Sequence, residues 1–521
     1  MQYSTFLHRS SVCGLLFGII ISVFFVSAPH LWAEETEGEP ADASSKGQAF
    51  SHQTVIDLAR KLATEPYREP EIAPQSLQKL DYSEYRQINY KQNAAIWGNS
   101  QTKFNIQLFA PGYLYEKLVD IDVVENGRTK PVTVTESSFT VPNKELGQIL
   151  TRVGKYAGFR LHYPINNDDY QDEFILFQGA SYFRAISKGQ LYGISTRGLS
   201  IDTAQPTGEE FALFERFWIE RPGVEQKAIV VHALLDSKSV SGAYRFGIYP
   251  GSLTWVDVDV ILFPRRDLDH VGLAPMTSMF MHGSLDPSDF PDYRPAVHDS
   301  EGLAMVKGNG ERLWRPLQNP NELQVSSFTD ENPQGFGLIQ RHRDFAYYQD
   351  LEAKYHSRPS VWVKPLGDWG KGSVELLEIP SDSEANDNMV AYWRPEQVLK
   401  KGESFSYSYR LSWPDDAPHH QGSVRIVRSA GGQKLGDSNR EVVVDFSGIG
   451  SDEIAALSID SHINTGLIAE TRLEANPSIN GVRVFLSFDP QGAEMGELRL
   501  QLLKNGRPAA ATWLYRWQKG K

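Results

Sequence analysis

Residues Leu253–Phe263, reading LTWVDVDVILF, alternate with a period of two. Val256, Val258, Val260 and Leu262 face one way, while Trp255, Asp257 and Asp259 face the other. An extended strand has that period and a helix does not, so the stretch is a strand with one face in a core. The same texture recurs at Phe104–Phe109, Phe174–Phe177, Gln190–Thr196 and Leu213–Ile219. Lys227–Asp236 and Ala243–Tyr249 are also strand-like, with the turn-prone Ser237–Gly242 between them. Many short strands punctuated by Gly, Pro and Asn predict a mainly β protein built on a large antiparallel sandwich. One helix is expected ahead of them. Ser51 caps it, Val55, Leu58, Ala59 and Leu62 share a face to about Glu65, and Pro66 stops it.

A boundary is expected at 396–403, where the polar run RPEQVLKKGE (394–403) precedes a second group of strands. These are Phe405–Trp413, Gly422–Ser429, Arg440–Phe446, Ala455–Ile459, Leu467–Asn476, Gly481–Asp489, and Glu497–Lys504 paired with Ala509–Trp517. Asn505-Gly506-Arg507-Pro508 supplies the last hairpin turn. Residues 404–521 thus read as a smaller immunoglobulin-like β-sandwich following the large one at 51–395.

Residues 1–33 read as a cleaved secretory signal. His8 and Arg9 precede the apolar run Gly14–Val26, and Leu31-Trp32-Ala33 ends in a small residue suited to cleavage. The run is shorter than the ~20 residues a membrane span needs. No Arg-Arg pair is present, which points to Sec-type export into the periplasm. Residues 34–50 form an acidic leader of small residues, expected to be flexible. Cys13, the one cysteine, lies inside the signal, so the mature chain can carry neither a disulfide nor a cysteine zinc site. A net charge of −13 argues against nucleic acid as a partner.

Metal chemistry finds little support. There is no HExxH, His419-His420 is an adjacent pair, and Asp286, Asp289 and Asp292 lack the glycine and terminal glutamate of an EF-hand. No metal and no cofactor are expected. Gly193-Ile194-Ser195-Thr196 only vaguely resembles a nucleophile elbow. Arg341, His342 and Arg343 form a basic knot, with Arg343 a candidate for binding hydroxyls. The richest stretch is Ile379–Trp393, IPSDSEANDNMVAYW. Asp382, Glu384 and Asp387, with Glu378 just before, sit among amides and rings. A carboxylate can move a proton, amides can hydrogen-bond hydroxyls, and Tyr392 and Trp393 can pack on pyranose faces. A second acid cluster is His298-Asp299-Ser300-Glu301-Gly302. Two acids from distant segments can flank a glycosidic bond, one protonating the leaving oxygen and the other activating water. Many other acid pairs in the chain would serve that description equally.

The chain resembles the periplasmic glucan biosynthesis proteins of the G/D type, which act in making osmoregulated periplasmic glucans. The resemblance covers about Phe50 to Trp517 and rests on FQGASYFRAI (177–186), YGISTRGLS (192–200), FALFERFWIE (211–220), SMFMHG (278–283), DYRPAVHDSEG (292–302), GNGERLWRP (308–316) and Ile379–Trp393. The Sec-like signal is more like the G branch, since the D branch typically carries a twin-arginine signal. The family implies two β-domains, the larger similar to mutarotases and polysaccharide lyases and the smaller immunoglobulin-like. It further implies an inverting glycoside hydrolase acting on β-1,2-glucan, with an inner-membrane glucosyltransferase as partner. By match to its motifs, Asp387 falls on the general acid and Asp299 on the base, which acts through an extended proton relay. Tyr355 belongs to the hydroxyl-bearing surround and Glu384 to substrate contact. The flexible stretch Gly431–Asn439 is a segment on which the relay is expected to depend.

Two other readings stay open at this point. One is a binding scaffold that presents nascent glucan for branching without cleaving it. The other is a mutarotase or lyase, which fold analogy alone supports.

Overall fold

In the computed structural model, residues 47–287, 291–418, 424–434 and 436–520 are described. The signal at 1–33, most of the leader and the His419-His420 pair lie outside them. Leu253–Phe263 forms strand Trp255–Pro264, with Val256, Val258, Val260 and Leu262 all 2 % exposed or less. Its opposite face carries charges that are paired across the sheet. Arg410 donates to both oxygens of Asp257, at 2.6 and 2.8 Å, and Asp259 accepts from Ser408 at 2.8 Å.

Two large sheets enclose the main core. The first runs, in spatial order, Asn105–Phe109, Gly158–Tyr163, Asp172–Gln178, Tyr182–Ala185, Ser195–Arg197, Val271–Ser278, Met389–Pro395, Lys371–Glu378 and Gln324–Glu331. The second has Trp255–Pro264 near its middle, between Val240–Tyr249 and Phe405–Ser412. Phe159, Phe177, Phe183, Met276 and Trp393 from the first sheet meet Phe217, Phe246, Val258 and Tyr409 from the second. The fold is therefore a mainly β sandwich, as the alternation predicts.

The helix occupies His52–Thr64 with Ser51 at its N-cap. Val55 and Ala59 are fully buried against Trp218, Leu234 and Phe263 on the far side of the second sheet. Arg265 donates to the carbonyls of Leu62 and Glu65, adding to the bond Leu62 O accepts from Glu65 N and tying the last turn to the end of strand Trp255–Pro264.

The second sheet does not stop at the expected boundary. It continues from Phe405–Ser412 through Val361–Leu366, Gly335–Ile339, Gly302–Val306 and Arg312–Pro316 to Thr512–Gln518, Met495–Lys504 and Leu457–Ile463. A separate four-stranded sheet of Arg425–Gln433, Arg440–Ser447, Gly481–Asp489 and Leu467–Asn476 shares a core with its last strands, around Phe446, Leu486 and Trp513. A division at 404 would cut Phe405–Ser412 from both of its hydrogen-bonded neighbours, Trp255–Pro264 and Val361–Leu366. The hairpin turn has the left-handed backbone its Asn-Gly pair favours, with φ of 52° at Asn505 and 73° at Gly506.

Candidate active site

Thr277 on strand Val271–Ser278 pairs with Ser195 on one side and Val390 on the other. Its neighbour Met276 lies in the core beside Phe183 and Ala391. By period two, Thr277, Ser195, Tyr182 and Arg184 therefore belong to the outer face. Asp387 precedes strand Met389–Pro395 at the same end. Thr277 Oγ1 donates to Asp387 Oδ2 at 3.2 Å, and Arg184 Nη2 lies 3.9 Å from the same oxygen. The Asp387 side chain is 35 % exposed.

Asn388 sets where Asp387 points. It is buried, its Oδ1 accepts from Phe280 N at 2.9 Å, and its Nδ2 donates to the carbonyls of Phe280 and Ile379 at 3.0 and 3.1 Å. The Asn-Asp-Asn spelling thus combines a buried clamp with a solvent-facing acid.

Asp299 reaches the site from a different hairpin. Strand Val297–His298 pairs with Phe280–His282, and Asp299 N donates to Met279 O at 2.8 Å. Asp299 is 4 % exposed, and Arg358 Nη1 donates to its Oδ1 at 2.6 Å. Burial pushes its carboxyl up to about 6; Arg358 pulls it down, and the charge of Asp387 pushes it further up. The two acids named by their motifs are therefore close enough to feel one another.

Tyr355 and Glu384 also come together. The buried Tyr355 hydroxyl donates to Glu384 Oε2 at 2.8 Å, and the Arg358 guanidinium lies 4.6 Å from the centre of its ring. Burial, then the hydrogen bond to Glu384 and its charge, holds that hydroxyl well above the usual tyrosine range. Glu384 Oε2 accepts a second bond from Arg294 at 2.8 Å, and Arg294 also holds Asp350 at 2.8 Å. Arg294 further keeps Asp292 low, at about 2. Asp292 is thus committed to an arginine, and Asp286 accepts from Asn319 N at 2.8 Å. Among the described residues no group of His, Cys, Asp and Glu is arranged to hold a metal ion.

Two expectations need correction. Trp393, read as a ring for sugar packing, is fully buried and packs 6.3 Å from Trp369 inside the sandwich. Met389, Ala391 and Trp393 form the inward set of their strand, so the ring cannot meet a ligand. Arg343, read as a hydroxyl binder, spends its donors on the main-chain carbonyls of Asp415 and Arg358, with a longer bond to Ser360 Oγ at 3.4 Å. It ties the Arg358 segment to the chain after Trp413. Its neighbours serve the same junction: Arg341 donates to Ile426 O at 2.9 Å, and His342 meets Glu301 at 2.8 Å.

Sequence reasoning missed Thr277, Arg184, Arg294 and Arg358. Period two in FQGASYFRAI could have found Arg184, since Phe183 faces in and Arg184 out. Arg358 leaves no local signal. Its trace is Gly193, where an added Cβ would lie 2.9 Å from the Arg358 Cβ, so this glycine makes room for it. Gly431 packs on Leu285, and Ser284 Oγ donates to Ser429 O at 2.5 Å, so the four-stranded sheet touches the loop after Phe280–His282.

A mainly β sandwich that gathers two coupled carboxylates, a buried tyrosine and three arginines at one end of a sheet defines a protein with a built polar site. The chain belongs to the periplasmic glucan biosynthesis protein family, whose model matches residues 50–517. It is 58 % identical over 504 residues to Glucans biosynthesis protein G 2 of Shewanella oneidensis, covering 97 % of this chain and 94 % of that one. It is 46 % identical to Glucans biosynthesis protein G of Vibrio cholerae, covering 91 % and 88 %. Among solved structures, a galactose mutarotase-related enzyme from Lactobacillus acidophilus matches 47 % of this chain and 99 % of its own at 9 % identity, with a TM-score of 0.20. An α-galactosidase from Geobacillus stearothermophilus matches 50 % and 40 % at 8 % identity, with a TM-score of 0.25.

Proposed function

We propose that this chain works in the periplasm on osmoregulated glucans as an inverting hydrolase of β-1,2-linked backbones. Asp387 gives its proton to the leaving glycosidic oxygen. Water attacks the anomeric carbon from the opposite face, the bond from that carbon to the leaving oxygen breaks, and the water's proton passes to Asp299. Asp387 ends ionised and Asp299 protonated, and exchange with solvent restores both. Tyr355 and Glu384 orient sugar hydroxyls beside the relay, and Arg358 keeps Asp299 available as a base. Arg294 holds Glu384 in place.

The observation that carries this reading is the pair itself, a buried acid held by Arg358 at 2.6 Å, its carboxyl pushed up by burial and by the charge of a solvent-facing acid that Asn388 clamps. An inner-membrane glucosyltransferase supplying the glucan fits the same role. Incubation with linear β-1,2-glucan tests it: shorter chains should accumulate, and Asp387→Asn should slow their formation by about 10²–10⁴-fold. Binding without any shortening at high protein concentration would favour a scaffold that presents glucan for branching.

A further inference from the structure

Three motif segments outside the acid pair, those holding Tyr182, Arg197 and Phe211, come together on the outer face of the first sheet. Tyr182 and Arg184 lie two residues apart on one strand, and Arg184 reaches to 3.9 Å from Asp387. Tyr182 pairs across the sheet with Arg197. The Arg197 guanidinium then lies 5.2 Å from the centre of the Tyr182 ring and 6.0 Å from that of Phe211. A continuous strip thus runs from Asp387 to Phe211.

Phe211 is 57 % exposed and forms a wall of a cavity of about 420 Å³, together with Tyr67, Ala180, Asp202 and Glu209. A cavity of that size falls in the range that holds small ligands. The charges around it are already matched. Arg197 meets Glu209 at 2.5 Å, Arg266 meets Asp202 at 2.9 Å, and Lys238 meets Glu69 at 3.5 Å. A cavity with paired charges and a bare flat ring favours a neutral, hydroxyl-rich ligand over an ion. Arg197 is 3 % exposed and fixes Glu209, a wall of the cavity, from beneath, while its guanidinium faces the Tyr182 ring. Ala180, with φ of 43°, holds the turn that brings the Tyr182 strand to the cavity rim.

We propose that this strip and cavity form a remote holding site for the same polysaccharide, gripping a glucan segment several sugars from the bond at Asp387. The inference rests on the reading of the Asp387 site as one that acts on glucan. It predicts a preference for long chains, because short oligosaccharides cannot reach both places.

Binding to the Asp387→Asn protein separates the two claims, since it does not require cleavage. Affinity is measured for long linear β-1,2-glucan and for a short oligosaccharide. Phe211→Ala should lower the long-to-short affinity ratio about tenfold, equivalent to about 1.4 kcal/mol. Phe211→Trp, which keeps a flat ring, should retain the ratio, as should Leu467→Ala, which removes an exposed apolar side chain from the four-stranded sheet. An unchanged ratio in Phe211→Ala overturns the proposal, as does an equal loss in Phe211→Ala and Phe211→Trp. If the unsubstituted protein cleaves no glucan yet the ratio still depends on the ring, the hydrolase reading fails and the holding site stands.

Discussion

Burial raises the proton affinity of Asp299, while Arg358, 2.6 Å away, lowers it, and the balance falls near 6. A base must be ionised, so glucan cleavage should rise with pH through about 6. Replacing Arg358 with Met removes the pull of the cation and should move that limb upward by about 1–3 pH units. A pH profile of kcat/KM checks this, and a limb that stays in place would remove Asp299 from the role of base. The sign for stability is opposite. The folded value lies above the ~3.9 of an unfolded aspartate, so the folded protein holds a proton that the unfolded chain has released between about 4 and 6. The contribution of Asp299 to stability is therefore greatest below that window and falls as pH rises through it. At this scale the motifs pick out Asp387, Asp299, Tyr355 and Glu384 as candidates, and the last two share a hydrogen bond. Of the arginines around them, Arg184 and Arg294 lie within motif segments whose spelling does not say which partner they meet, and Arg358 has no local pattern of its own.

Strand Met389–Pro395 shows what periodicity can and cannot deliver. Both of its faces are apolar and covered, with Met389, Ala391 and Trp393 toward the main core and Val390 and Tyr392 in a smaller cluster on the other side, so nothing in the spelling reveals that both rings, Tyr392 at 1 % exposure and Trp393 at 0 %, are shut away from a ligand. Trp255–Pro264 was legible because charges mark its outer face. Trp393→Ala should cost about 3–5 kcal/mol of stability in denaturant unfolding, the loss expected for a large core side chain. Asn388→Ala leaves Phe280 N without its acceptor and two carbonyls without their donor. The expected cost is about 1–3 kcal/mol for each unsatisfied buried group, together with a fall in kcat as Asp387 loses its clamp. A folded, fully active Asn388→Ala protein would show that Asp387 is placed by something else.

For the whole molecule, the second sheet joins what composition divides. The polar run at 396–403 reads as a linker, yet the next strand, Phe405–Ser412, is hydrogen-bonded on both edges within the large sandwich. Linker-like composition reports exposure of one segment and carries no information about which sheet receives the next. Ending the chain at Glu403 should therefore remove Tyr409, Leu411 and Trp413 from the main core and abolish a cooperative thermal transition. A truncated chain that melts cooperatively would instead make the large sandwich independent of that strand. The same continuity carries Gly302–Val306, just after the Asp299 segment, in one sheet with the C-terminal strands. The most direct test of the glucan reading is proton NMR of linear β-1,2-glucan during the first turnovers with the mature protein. Inversion predicts new reducing ends that appear first as the α-anomer, with no such signal from Asp387→Asn. New ends appearing first as the β-anomer, or equal rates in the two proteins, would contradict it.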